Sequence, residues 1–167
     1  MAPVAVIVGP PGAGKTTIGQ TVAELLGVPF GDTDLIIEER AGKPIPEIFF
    51  DDGEAHFREL EREAITESLD AFEGVLALGG GAILNESTRT ALSGHTVVFL
   101  SVELTDAVKR VGLGAGRPLL SVNPRATLKF LMEERRPLYT SVATHTVKTD
   151  GRTPQEIAEE LAALLKS

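Results

Sequence analysis

Gly9-Pro10-Pro11-Gly12-Ala13-Gly14-Lys15-Thr16 is the stretch from which the rest of the chain is read. Its spelling, G-x-x-x-x-G-K-[ST], is that of a loop that cradles nucleotide phosphates. Three glycines let the backbone curl so that successive N–H groups face anionic oxygens. Lys15 adds a mobile positive charge for the β- and γ-phosphates, and the Thr16 hydroxyl suits a Mg²⁺ ion. Upstream, residues 4–8 form an apolar, β-branched run, as in a strand buried on both faces. Downstream, Ile18, Val22, Leu25 and Leu26 recur at helical spacing. Strand, glycine loop and helix follow in the order that turns a helix N-terminus toward the anion. A plain glycine turn would need neither Lys15 nor Thr16.

The 167 residues predict one domain with a substantial core. A hydrophobic content of 43% and a charged content of 24% are ordinary for a globular protein. Without cysteine there is no disulfide, thiolate metal site or cysteine nucleophile. A net charge of −8 argues against nucleic acid as a partner, since phosphate backbones call for a basic surface. No apolar run approaches the roughly 20 residues of a membrane span, and no basic leader precedes the glycine loop. The expectation is a cytoplasmic protein with no membrane partner, acting as a monomer.

Further strands are predicted over residues 29–32, 75–78, 96–100 and 143–149. Helical patterns cover 15–26, 34–41, 54–71, 86–92, 105–111, 125–138 and 154–165. The last of these opens with Thr153 as N-cap and Pro154 at its first position. Strands alternating with helices imply an α/β fold: a central parallel sheet of five strands, with helices on both faces in three layers. Ligands of such folds gather at the carboxyl ends of the strands. His56, His95 and His145 are scattered without ligand spacing, and no metal is assigned to them.

Five clusters remain. Asp32-Thr33-Asp34 follows the second strand, and carboxylates at i and i+2 can point the same way while serving different targets. One suits a metal ion held through water, the other a substrate hydroxyl; an acidic helix cap near Leu35, with Asp34 in that part, is the alternative. Asp52-Gly53-Glu54-Ala55-His56-Phe57-Arg58 leads into a helix on which Arg58 can pair with Glu54 or Glu61 on a solvated face. Gly79-Gly80-Gly81 after the third strand gives bare backbone for a close approach. Gly112-Leu113-Gly114-Ala115-Gly116-Arg117-Pro118 reads as a mobile lid that brings Arg117 over the phosphates. Arg135-Arg136-Pro137-Leu138-Tyr139 places cations near a helix end, where they also suit the helix dipole.

Taken in order over nearly the whole chain, these clusters resemble the shikimate kinases. That pattern comprises the glycine loop, D-T-D, F-R after D-G-E, a triple glycine, G-R-P-L and R-x-P-L-Y. The resemblance implies a P-loop kinase fold with a lid over about 112–124 and a substrate segment over about 33–61. It implies transfer of the γ-phosphate of ATP, with Mg²⁺, to the 3-hydroxyl of shikimate. On this reading Gly12, Ala13, Gly14, Lys15, Thr16 and Thr17 hold the phosphates, with Arg110, Arg117 and Arg152 also on the nucleotide side. Thr16 and Asp32 serve the metal. Asp34, Arg58, Gly80, Gly81 and Arg135 take the acceptor, and Lys15, Asp34 and Arg117 are the catalytic set. On the adenine side Arg152 and Pro154 keep register, whereas Lys148 replaces the usual acid.

These residue types suit the reaction. Paired arginines match a carboxylate through parallel hydrogen bonds. Phosphoryl transfer is mostly positioning and charge stabilisation, so one carboxylate suffices at the attacking hydroxyl. A gluconate or nucleoside monophosphate kinase shares the loop and lid but not Phe57-Arg58 with the triple glycine. A GTP-binding switch is disfavoured because Val147 stands where a guanine-reading N-K-x-D motif requires Asn.

Overall fold

The computed structural model describes residues 2–10, 13–103 and 124–166. The apolar run before the glycine loop becomes β1 (Ala5–Val8), buried throughout and central in a five-stranded sheet. Its neighbours are β3 (Val75–Ala77) and β4 (Val97–Ser101), with β2 (Phe30–Asp32) and β5 (His145–Lys148) at the edges. The order is β2-β3-β1-β4-β5 and every pairing is parallel. The predicted strands are therefore present, each trimmed or shifted by a residue or two at its ends.

Alternation of side chains sorts the sheet into two faces. Ile7, Val98 and Leu100 pack with Ile18 and Val22 of α1 (Lys15–Leu26) and with Ile157 and Leu161 of α6 (Pro154–Lys166). Val6, Val8, Leu76, Val97 and Phe99 face the other way, against Ile65 and Leu69 of α3 (Ile45–Ala71) and Tyr139 of α5 (Pro124–Val142). Here helices are numbered in chain order among the described residues. This is the three-layer α/β arrangement expected from the alternation of elements. A separate apolar cluster, Ile37, Ile45, Ile48, Phe57 and Ala64, joins α2 (Thr33–Ala41) to α3. It builds the flank of the molecule beside the edge strand β2.

Local chemistry fixes the ends of these helices. Gly14 adopts φ 88° and turns the loop into α1, a left-handed conformation that glycine tolerates without a Cβ penalty. As predicted, Thr153 caps α6, its hydroxyl accepting from the Glu156 N–H at 3.1 Å. α2 starts one residue earlier than the pattern suggested, at Thr33. Its cap is Asp32, whose Oδ1 accepts from the Asp34 N–H at 2.8 Å, so Asp34 lies inside the first turn and is not the cap.

α3 corrects the prediction of a helix beginning near residue 54. A further stretch, starting at Ile45, precedes it, and the two are joined at Gly53 with φ 86° and ψ 166°. α5 likewise runs to Val142, beyond the expected end, and carries Pro137 internally. α4 (Glu86–Ala91) is capped by Asn85. The predicted helix over 105–111 lies outside the described residues.

Candidate active site

The glycine loop leaves the carboxyl end of β1, the Gly79-Gly80-Gly81 turn follows β3, and Asp32 and Asp34 lie at the end of β2 and the start of α2. Because β2, β3 and β1 are successive neighbours in a parallel sheet, these three segments meet at one edge. Sequence alone places them far apart. The sheet order brings them together.

On the β1 side, Ala13 is fully buried and Lys15 Nζ donates to the Gly9 and Pro10 carbonyls at 2.8 and 3.1 Å. The ammonium is thereby held over the loop. Gly9 is required by contact: a Cβ there would meet the Leu100 carbonyl oxygen at 2.7 Å. Thr16 and Thr17 stand in the first turn of α1. The Thr16 hydroxyl donates to Asp32 Oδ2 at 3.0 Å, so the two groups expected to serve a metal ion are adjacent. Burial raises the Asp32 pKa above the usual carboxylate value, and the neighbouring Asp34 charge raises it further. Thr16, the Asp34 N–H and Lys15 oppose that rise. A carboxylate so placed gains by meeting a cation. Among the described residues no three His, Asp or Glu side chains converge on one point. A divalent ion here would take most of its oxygens from phosphate and water, as Mg²⁺ commonly does.

On the β3 side the glycines serve the protein's own side chains. A Cβ at Gly79 would lie 2.6 Å from Asp34 Oδ1 and 3.0 Å from Glu61 Oε2; one at Gly81 would lie 2.5 Å from Arg58 Nη2. The bare backbone therefore lets a carboxylate and a guanidinium sit directly on the turn. Arg58 is gripped by Glu61 Oε1 at 2.7 Å and reaches Glu54 at 3.4 Å. Glu54 is on the solvated face, as the spacing suggested. Glu61 is not: its side chain is 4% exposed. In the sequence only its i+3 offset from Arg58 signals this pairing. Arg135 is 5% exposed, yet among the described residues it makes no ion pair or hydrogen bond. A guanidinium buried in that way suits an anion supplied from outside the chain. The Tyr139 hydroxyl donates to the Gly80 carbonyl.

Arg152 lies at the opposite end of the sheet, after β5, where it donates to the Lys148 carbonyl and pairs with Glu160 at 2.8 Å. Gly12, Arg110 and Arg117, with the expected lid, lie outside the described residues.

Comparison with known proteins settles the family. A family model described as shikimate kinase matches residues 11–166. The chain belongs to the shikimate kinase family. A shikimate kinase of Salinispora arenicola is 72% identical over 99% of each chain. Among solved structures, a shikimate kinase from Acinetobacter baumannii in complex with shikimate has a TM-score of 0.94 at 38% identity, covering 99% of this chain and 93% of that one. A gluconokinase from Sinorhizobium meliloti reaches only 0.60 at 25% identity, over 97% and 90%. The activity of the chain is accordingly shikimate kinase activity, an ATP-dependent phosphotransfer to an alcohol. No helix among the described residues is long and apolar enough to cross a membrane.

Proposed function

We propose that the edge formed by β2, β3 and β1 moves the γ-phosphate of ATP to the 3-hydroxyl of shikimate, giving shikimate 3-phosphate and ADP. The observation that carries this reading is the Gly79–Gly81 turn, which seats Asp34 and Arg58 on β3, the strand next to the one that feeds the phosphate loop.

In this division of labour Gly12, Ala13, Gly14, Thr16 and Thr17 offer loop amides and hydroxyls to the phosphates. Lys15 leaves its carbonyl partners for the β- and γ-oxygens. Thr16 and Asp32 would hold Mg²⁺, which neutralises phosphate charge when bound. Arg58 and Arg135 grip the shikimate carboxylate, a planar anion that guanidinium groups match through paired hydrogen bonds. Gly80 and Gly81 line the ring. Asp34 accepts the proton of the attacking hydroxyl and orients its lone pair toward phosphorus. Arg117 is assigned to the transferring phosphoryl group, and Arg110 and Arg152 to the nucleotide, on the sequence resemblance. On the adenine-side loop Lys148 stands in place of the usual acid, and Arg152 keeps register. The protein acts as a single domain and a monomer in the cytoplasm.

A panel of acceptors in an ADP-release assay tests the reading. Shikimate is expected to support turnover, with gluconate and nucleoside monophosphates near background. Comparable turnover with gluconate would overturn the assignment of the acceptor.

A further inference from the structure

Tyr139 closes the R-x-P-L-Y stretch, yet no step of phosphoryl transfer calls for a phenol there. It is 1% exposed, and its ring stacks on Phe99 of β4 with centroids 5.0 Å apart. Packing alone would be met equally well by phenylalanine. The hydroxyl, however, reaches the Gly80 carbonyl, 59 positions away in the chain.

That bond joins two pieces of the acceptor site. Gly80 lies between Gly79, on which Asp34 rests, and Gly81, on which the Arg58 guanidinium rests. Tyr139 lies one helical turn after Arg135 on α5, so both side chains leave the same helix face. The Gly80–Gly81 peptide is planar and trans, so holding its carbonyl also fixes the direction of the Gly81 N–H. A three-glycine turn has little stiffness of its own. Glu61 steadies Arg58 from the α3 side, but nothing on α3 sets the distance from Arg58 to Arg135.

We propose that Tyr139 is a positioning residue for the acceptor: its hydroxyl pins the Gly79–Gly81 turn to α5 and so sets the gap between Arg58 and Arg135. The inference rests on the reading of those arginines as the carboxylate grip. Phe99 holds the ring, the ring holds the hydroxyl, and the hydroxyl holds the turn.

The test is Tyr139→Phe, which keeps the stacking and removes one oxygen. Loss of one buried hydrogen bond that orders the site is expected to raise KM for shikimate about tenfold. KM for ATP should change less than twofold, and Tm by no more than a few degrees. An unchanged shikimate KM overturns the proposal, as does an equal rise for both substrates with a large fall in Tm, which would mark a packing role. Arg135→Ala, assayed in parallel, separates the layers: if it too leaves shikimate KM unchanged, the grip itself is wrong. If Arg135→Ala raises that KM while Tyr139→Phe does not, the pin alone fails. In the double variant the pin has no second arginine to align, so adding Tyr139→Phe to Arg135→Ala should cost less than threefold. Fully multiplicative effects would contradict a shared gap.

Discussion

Asp34 and Asp32 are two residues apart, and the different tasks proposed for them rest on different surroundings. Asp34 sits against Gly79, beside the acceptor turn, whereas Asp32 caps α2 and meets Thr16. If Asp34 is the proton acceptor, as proposed, its replacement should lower kcat without emptying the nucleotide site. Asp34→Asn is therefore expected to reduce kcat by about 10²–10⁴-fold with ATP affinity within a few-fold of the parent, measured by turnover and nucleotide titration. Asp32 gives a pH prediction. Its folded pKa is raised, so just above pH 3.8 the native state keeps a proton that the unfolded chain has released. Its contribution to stability is then fullest below that value and is lost as pH rises through the folded pKa. Asp32→Asn keeps a good cap but cannot ionise. In metal-free buffer its Tm should gain on the parent as pH rises from below 3.8 toward neutrality; a constant difference would show that the burial of Asp32 carries no charge penalty. Gly81 tests the seat of Arg58. Gly81→Ala drives a methyl into a guanidinium that Glu61 prevents from swinging away, so KM for shikimate should rise about 10- to 100-fold, as for loss of a charged hydrogen bond, while KM for ATP stays put. Equal KM values before and after would dissociate Arg58 from the acceptor.

At the scale of elements, strands and most helices were legible because their apolar periodicity is strong and their limits carry Gly, Pro or a capping residue. The first part of α3 was not. Pro44, Pro46 and Gly53 interrupt its helical pattern, whereas the Ile45 N–H donates to Glu38 Oε2 at 2.8 Å and Ile45 and Ile48 pack with Ile37 and Phe57. α5 runs past the expected end at 138, and packing of Leu138 and Tyr139 against the sheet outweighs the hydrogen bond lost at Pro137. The break at Gly53 has a backbone cause. Its φ of 86° with ψ of 166° belongs to a region open essentially to glycine alone, and a Cβ there meets nothing within 4 Å. Gly53→Ala should therefore destabilise by about 1–3 kcal/mol from backbone strain alone, a Tm fall of roughly 2–10 °C in calorimetry for a domain of this size. No loss would mean that the two parts of α3 can join as one straight helix.

The whole molecule adds what neither residues nor elements disclose: the order of strands. The phosphate loop, the acidic pair and the triple glycine were all recognisable as motifs, and each was expected at the carboxyl edge of the sheet. That they lie side by side follows from β3 lying between β2 and β1, a fact of topology with no local spelling. For the same reason Glu61 reads as a surface charge in the sequence, although the turn after β3 covers it, and the bond from the Tyr139 hydroxyl to Gly80 has no local signal. The central claim is that this single edge aligns one ring alcohol of shikimate with the terminal phosphorus of ATP. Phosphorus NMR of a reaction containing the full chain, ATP, Mg²⁺ and shikimate tests it most directly. The account predicts one new phosphomonoester coupled to the proton on carbon 3, growing in step with ADP. ADP accompanied by inorganic phosphate alone, or a phosphate on another ring hydroxyl, would contradict it.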